Sequence, residues 1–277
     1  AQYPGASVVC LCMNIAGAIK RTENIERAFA WGLRNVKAVL APCETLFDAA
    51  IHEKTGPEAM LCVRADARAI KRRLCALEDG EALGRLLDID VIAPGGGKIS
   101  RTEIGLPARR CLLCGNPAPV CARSRAHSAD ALFEKANAII DAHFEMAFAK
   151  RTAENAQRAL LFEVAVTPKP GLVDRHNAGA HRDMDVFTFI DSACALRPYF
   201  ETCACIGLAH RGKDAQACFD ALRVPGLLAE DAMRRATGGV NTHKGALYAL
   251  SLLLAAWAVL FYFTMIDEIN DEVDDSL

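Results

Sequence analysis

The chain has almost no net charge: 32 Lys and Arg set against 34 Asp and Glu leave a formal −2 over 277 residues. It also has no long basic run, which argues against a dedicated nucleic-acid binder. Low-complexity stretches are missing, and 52% hydrophobic residues is too many for a disordered chain. The opening AQYPGASVV lacks a basic region followed by a long apolar core, so no secretory signal is visible and a cytoplasmic setting is expected. What is present is length enough for two domains, either of which could bury a core of ordinary size. Twelve cysteines are present too, and outside a secretory context they read as free thiols or metal ligands rather than a disulfide framework. Cys10, Cys12, Cys62, Cys75 and Cys194 sit singly in apolar runs, where small buried thiols are expected.

The first 92 residues alternate between strand-like and helix-like patterns. Val8–Ile15 reads as a strand, Glu23–Leu40 as a helix and Glu58–Val63 as a second strand. Asp66–Leu77 is an amphipathic helix with Asp66 near its N-cap, and Leu83–Ile92 a third strand closed by the turn Pro94-Gly95-Gly96-Gly97. Strands separated by helices predict an α/β domain. Residues 98–127 show no clear period. From Ser128, a plausible N-cap, the pattern becomes helical over Ala129–Ala149 and Thr152–Val166. The stretch TPKPG at 167–171 is a loop, since proline cannot continue a helix interior. Helical patterns resume at Met184–Leu196, Asp214–Leu222 and Leu227–Ala236, and Gly238-Gly239 breaks the chain before a long apolar helix from about Thr242. The second half therefore reads as all-α, with the boundary near Ser128. Within that last helix, Leu247–Ile266 is twenty residues without a charge. Such a stretch is either a buried helix or long enough to span a bilayer, with Lys244 before it and an acidic stretch, 267–275, after it.

Four constellations could carry chemistry. Asp88 and Asp90 alternate with Ile89, so in a strand both carboxylates share a face while Ile89 enters the core. Such a pair can hold Mg²⁺ against a polyphosphate; a solvated acidic strand edge is the other reading. Cys111-Leu-Leu-Cys114, then Cys121 and His127, offer four soft ligands suited to tetrahedral Zn²⁺ in a structural role, unless the spacing is coincidental in a cysteine-rich chain. The stretch 167–185, TPKPGLVDRHNAGAHRDMD, gathers Lys169, Arg175, His176, His181 and Arg182 with Asp174, Asp183 and Asp185, a mixture that helix packing does not need. Finally, Gly238 to Gly245, with Asn241, His243 and Lys244, lies where a helix begins and where free N–H groups could bind phosphate; a capped helix start is the alternative.

At this point the sequence resembles known families. TPKPGLVDRHNAGAHRDMDVFTFIDSA followed by GGVNTHKGALYALSLLLAA is similar to the triphosphoribosyl-dephospho-coenzyme A synthase family. Upstream, NIAGAIK (14–20), TGPEAMLCV (55–63), GRLLDIDV (84–91) and GLPARRCLLCGNPAPVCARSRAHS (105–128) resemble the citrate lyase holo-acyl-carrier-protein synthase family. The two families occur fused in this order. The resemblance implies an α/β nucleotidyltransferase-like domain over 1–127, bearing the Cys/His segment, and a synthase-like all-α domain over 128–277. The chain starts just ahead of the NIAGAIK region and ends soon after the GVNTHKG helix, so the second domain is expected to be incomplete and its activity weak or absent.

What the resemblance implies can be put as chemistry. The synthase joins ATP to 3′-dephospho-coenzyme A: a ribose hydroxyl attacks C1′ of ATP and adenine leaves. Asp174, His181 or Asp183 are expected in base or metal duty, and Lys169, Arg182, Asn241, His243 and Lys244 at phosphates. The transferase moves phosphoribosyl-dephospho-coenzyme A onto a serine of the acyl carrier (gamma) subunit of citrate lyase and releases pyrophosphate. Asp88 and Asp90 would hold its Mg²⁺, with Arg85 near the phosphates and Zn²⁺ on Cys111, Cys114, Cys121 and His127. Alternatives are the equivalent enzyme of malonate decarboxylase, which uses the same prosthetic group, and a non-catalytic zinc-bearing module that docks the carrier.

Overall fold

Alternation of buried and exposed side chains builds one antiparallel sheet in the first part of the chain. The computed structural model describes residues 3–211 and 214–274, with side chains described to Tyr262 in the last helix. The sheet has the order β2-β3-β1-β4, from β1 (Ser7–Met13), β2 (Glu44–Glu53), β3 (Gly56–Arg64) and β4 (Leu87–Ile92). Cys12 of β1 lies between Glu58 of β3 and Asp88 of β4, and Cys10 between Met60 and Asp90. Val9, Leu11, Leu61, Val63, Ile89 and Val91 face inward and are buried. They meet α1 (Glu23–Leu40), which is capped by Thr22, and α2 (Ala67–Gly80), whose N-cap Asp66 accepts from the Ala69 N–H at 2.7 Å. The expected α/β domain is therefore present, with every strand pair antiparallel.

β4 ends the sheet, so its outer N–H and C=O groups need partners other than a strand. Two α2 side chains supply them: the Glu78 carboxylate accepts from the Ile89 N–H at 3.1 Å, and the Lys71 ammonium donates to the Ile89 carbonyl. Glu78, 2% exposed, also takes the Arg101 guanidinium at 2.9 Å. Both buried charged groups of α2 are thereby matched, and the segment carrying Asp88 and Asp90 is fixed from the side.

Several boundaries differ from expectation. β2 carried no clear signal, because most of its ten residues are exposed and alternation is lost. The strand expected over Leu83–Ile92 begins only at Leu87; residues Leu83–Leu86 form a 3₁₀ turn. After a further 3₁₀ turn at Thr102–Ile104, α3 (Ala118–Ser124) occupies part of the aperiodic stretch.

The helices after Ser128 are longer than their patterns suggested. α4 runs unbroken over Ala129–Ala165, with Ser128 Oγ accepting from the Ala131 N–H. The chain divides into two compact units within this helix, one reaching His143 and the other starting at Phe144. α5 (Val186–Ala209) opens on a capping box formed by Asp185 and Thr188. The two helices expected over 214–236 are one, α6 (Ala215–Ala236): Pro225 removes one N–H, but Leu222, Ala229 and Met233 keep a continuous buried stripe. α7 (Lys244–Asp274) buries Leu247, Ser251, Ala255 and Ala258 on one face and exposes Tyr248, Leu253, Trp257 and Leu260 on the other. Its stretch Lys244–Tyr262 has mean hydropathy 1.9, is 28% buried, and is long and apolar enough to cross a membrane by length and composition. The side chains of 263–266 and of the acidic stretch after them lie outside the described residues. α5 and α7 touch backbone to backbone at Gly207, where an added Cβ would fall 2.3 Å from the Ala255 carbonyl oxygen.

Candidate functional site

In the first unit, Asp88 and Asp90 emerge on the sheet face opposite the helices, as their spacing predicts, while Ile89 is fully buried between them. Each carboxylate has a cation: Lys98 Nζ lies 2.7 Å from Asp90, and the Arg109 guanidinium 3.6 Å from Asp88. Arg109 is itself fixed by donating to the Arg85 and Leu87 carbonyls, both at 2.7 Å. The carboxylates share a cavity of about 350 Å³ with Cys10, Cys12, Phe47, Ile51, Glu58 and Met60. Burial, with Asp88 and Glu58 adding to it, pushes the Cys12 thiol up to about 11. Cys10 moves the same way through burial and then Asp90. Both thiols stay protonated at neutral pH, so the face offers oxygen ligands, the set Mg²⁺ takes.

The cysteines expected as small buried thiols divide. Cys62 and Cys75 are buried, Cys10 and Cys12 are half-buried on the open face, and Cys194 is exposed because its side of α5 turns outward. No disulfide occurs among the described residues.

The Cys/His segment closes on itself. Cys111 and Cys114 stand on a tight hairpin in which the Cys111 N–H donates to the Asn116 carbonyl and the Ala118 N–H to that of Arg109. Gly115 takes φ 72° so that the chain can turn back after the second cysteine. α3 brings in Cys121, and its left-handed terminus at Arg125 returns the chain to His127. The three sulfurs and one imidazole nitrogen all lie within 4.8 Å of one another. Cys114 and Cys121 sulfurs are 3.4 Å apart, and His127 Nε2 is 3.2 Å from Cys114 Sγ. Ligands at Zn–S bonds of about 2.3 Å in a tetrahedron stand ~3.8 Å apart, so the set is close to the required size. Burial works against ionisation of Cys111, but the backbone N–H groups of Cys114 and Leu113 aimed at its sulfur outweigh it and pull the thiol below its usual value. Sharing a hydrogen with Cys114 pushes Cys121 up to about 11. Four protein ligands leave no open position, the pattern of a structural centre. Arg85, expected near phosphates, lies in the 3₁₀ turn and braces this hairpin, donating to the Arg110 and Cys111 carbonyls at 2.8 and 3.3 Å.

The second unit changes some expected roles. Asp174, expected as a base or metal ligand, is only 2% exposed and already accepts from Thr167 Oγ1 and from the Lys169, His176 and Asn177 N–H groups. The Thr167 hydroxyl first, then those backbone donors, hold its carboxyl well below the usual range. It is therefore the organiser of the 167–177 loop, with no lone pair left for a reacting proton. Lys169 pairs with Glu163 at 2.6 Å and Lys244 with Glu230 at 3.0 Å. Asn241 Oδ1 receives the Lys244 N–H at 3.3 Å, which fits the capped-start alternative. His181, Arg182 and Asp183 are exposed, with no side-chain partner among the described contacts.

His243, expected at a phosphate, is 5% exposed. Thr242 Oγ1 donates to Ser192 Oγ at 2.7 Å, and Ser192 Oγ stands 2.7 Å from His243 Nδ1. If the serine passes its own proton on, Nδ1 accepts and Nε2 carries the hydrogen. Nε2 is buried with no hydrogen-bond partner. Burial lowers the His243 pKa, with Glu163 opposing and Lys169 assisting, so the ring is neutral. A neutral imidazole, packed edge-on against the Phe189 ring, brings no counter-charge to a phosphate and can offer it only a hydrogen bond.

Residues 1–143 match the family described as apo-citrate lyase phosphoribosyl-dephospho-CoA transferase. The chain belongs to that family. Residues 149–276 match the ATP:dephospho-CoA triphosphoribosyl transferase family, so the chain joins the two. A relative named CitXG from Leuconostoc mesenteroides subsp. cremoris is 35% identical over 267 residues, covering 93% of this chain and 57% of the relative. The CitXG of Haemophilus influenzae is 35% identical over 260 residues, with 92% and 54% covered. A 2-(5''-triphosphoribosyl)-3'-dephosphocoenzyme-A synthase of Haemophilus ducreyi is 42% identical over 144 residues, covering 52% of this chain and 44% of the relative. The chain thus spans about half the length of the curated relatives it matches along nearly all of its own.

Proposed function

We propose that the first unit transfers a phosphoribosyl-dephospho-coenzyme A group to a serine of the citrate lyase acyl carrier subunit. The observation that carries this reading is the Asp88–Asp90 pair, held on an open sheet face by an edge strand whose residue between them, Ile89, has both its N–H and its carbonyl bonded by α2 side chains, Glu78 and Lys71. The seryl oxygen forms a new bond to the phosphorus nearest the ribose, the bond to pyrophosphate breaks, and the hydroxyl proton passes to solvent. A magnesium ion held by the two carboxylates would neutralise charge on the departing pyrophosphate. Arg109, beside Asp88, is placed to hold a phosphate oxygen, and Lys98 does the same beside Asp90. Cys111, Cys114, Cys121 and His127 would hold zinc as a structural centre.

For the second unit we infer part of a synthase that joins ATP to 3′-dephospho-coenzyme A with loss of adenine. His181 or Asp183, both exposed, would take the ribose hydroxyl proton, and Arg182 with Lys169 and Lys244 would hold the triphosphate. His243 would donate Nε2–H to the substrate. These roles, and the carrier and nucleotide as partners, rest on the family relationships together with residue chemistry.

The test is mass spectrometry of apo-carrier incubated with this chain, Mg²⁺ and pre-made triphosphoribosyl-dephospho-coenzyme A. A gain of the prosthetic group with matching pyrophosphate release is expected. It should fall at least a hundredfold in Asp88→Asn or Asp90→Asn, since losing a metal carboxylate removes several kcal/mol of transition-state stabilisation. Transfer by the double variant at the wild-type rate would sink the assignment. Carrier that binds without gaining mass would instead support a docking module.

A further inference from the structure

Between the 3₁₀ turn before β4 and the Cys/His hairpin lies a cavity of about 700 Å³. Small-molecule sites run from about 300 to 1,000 Å³, so it can admit a whole nucleotide. Its lining is unusual in charge. Arg85, Arg109, Arg110 and Arg125 contribute, alongside Cys121 and His127, and neither Asp nor Glu is among the lining residues. Three of the arginines are braced by backbone carbonyls: Arg85 by those of Arg110 and Cys111, Arg109 by those of Arg85 and Leu87, and Arg110 by that of Gly115 at 3.3 Å. These bonds fix the forks and leave further donors on each guanidinium free.

Arg125 is different. It makes no side-chain hydrogen bond or ion pair among the described contacts, although it lines the cavity. It is also the one non-glycine residue with positive φ among those described, at 48°. A left-handed arginine is strained, because its Cβ crowds the following carbonyl, and glycine would adopt this conformation without penalty. Strain of this kind is retained where the side chain has a task. Arg109 links the cavity to the carboxylate strand, since the same guanidinium lines the cavity and stands 3.6 Å from Asp88.

We propose that this arginine-lined cavity binds the phosphorylated arm of the nucleotide substrate, with Arg125 as a phosphate-binding residue. The identity of the nucleotide rests on the transferase reading; the anion site itself does not. The Cys/His hairpin is then one wall of the substrate pocket, and it sets the position of the Arg110 and Arg125 backbones. Guanidinium forks suit phosphate oxygens in pairs; Arg109 stands beside Asp88 and Glu78, but no carboxylate lines the cavity itself, so the charge of Arg85, Arg110 and Arg125 is available to a ligand.

The experiment is calorimetric titration of the full chain with inorganic pyrophosphate and, separately, tripolyphosphate, in magnesium-free buffer. Saturable binding is expected, weakening as salt rises. Arg125→Gly should weaken it at least tenfold while the protein melts no lower than wild type, because the substitution also relieves the left-handed strain. Arg110→Ala should weaken it similarly, and Arg123→Ala, on the same helix but outside the lining, should leave it unchanged. A purely structural Arg125 would give the opposite pair of results, unchanged binding with altered melting, and would overturn the proposal, as would a wild-type chain that binds neither anion. Anion binding lost in Arg125→Gly, in a wild-type chain that never modifies the carrier, would uphold this site and defeat only the transferase reading.

Discussion

Removing the Glu78 carboxylate should unfold the edge of the sheet before anything else. The side chain is 2% exposed and serves three groups: the Ile89 N–H at 3.1 Å, Arg101 at 2.9 Å and, more distantly, Arg109 at 3.8 Å. In Glu78→Ala the Ile89 N–H loses its acceptor, which costs about 1–3 kcal/mol for a buried donor. Arg101, 12% exposed, keeps only Asp79 as a carboxylate partner, and breaking a buried pair costs about 3–5 kcal/mol in total. Glu78→Gln keeps the shape and can still accept from Ile89, so its loss should be limited to the charged part, about 1.5–3 kcal/mol. Urea unfolding followed by Trp31 fluorescence in a Trp257→Phe background reads the first unit, since Trp31 packs against its core on α1 while Trp257 stands exposed on α7. Carrier modification should decline in both variants under native conditions, because Asp88 and Asp90 flank the residue that Glu78 anchors. An alanine variant within about 1 kcal/mol of wild type, and no worse than glutamine, would show that the edge does not depend on this carboxylate.

Elemental analysis should find about one zinc per chain, and Cys121→Ser should lower both the metal content and the melting temperature; a metal-free chain with full stability would make the cluster coincidental. Gly207→Ala should destabilise the second unit by about 1–3 kcal/mol or more, since the new methyl would sit 2.3 Å from a backbone oxygen of α7 and the helices must part; unchanged urea unfolding of that unit, read by Trp257, would refute the close approach. Burial depresses the His243 pKa, so the unfolded chain takes up a proton near pH 6.5 that the folded chain refuses. The second unit should therefore keep its stability above about pH 6.5 and lose it as pH falls below that value, and His243→Gln should flatten the slope; a wild-type midpoint that holds steady from pH 7.5 to 5.5 would count against a neutral buried ring.

How much of the fold showed in the sequence depended on whether an element's burial follows its own period. α1 alternates faces cleanly, and its limits at Glu23 and Leu40 coincide with the pattern. β2 does not: its ten residues are held by backbone pairing to β3, with a bulge between Thr45 and Phe47, and pairing of that kind writes nothing into side-chain hydropathy. Leu83–Leu86 misled for the opposite reason. Leu83 and Leu86 are buried as a strand's residues would be, yet Gly84 sits so close to the Leu77 carbonyl that an added Cβ would fall 2.3 Å from it, and the chain turns there instead of extending. The helices over 129–165 and 215–236 ran together because a local break in hydropathy, or one proline, costs less than the buried stripe that continues past it.

The site was legible where spacing alone fixes geometry and illegible where long-range packing decides protonation. Asp88 and Asp90 needed only the two-residue repeat of a strand, and the Cys/His set needed only a hairpin and one helical turn to bring its ligands within 4.8 Å. His243 needed more. Its partner Ser192 is 51 positions away, and nothing in GGVNTHKG shows that the ring would be enclosed. Asp174 misled for a local reason: in a loop with two prolines and two glycines, a carboxylate that accepts from three backbone N–H groups does the work of a missing helix or strand, and the mixture of charges around it reads as catalysis. Arg125 carried a signal that residue type could not reveal. Arginine is ordinary in an Arg-rich stretch, and only its left-handed backbone at the end of α3 marks it out from Arg123 two residues earlier. The residues best hidden in this sequence are thus those whose chemistry is set by a conformation or an enclosure that other parts of the chain supply.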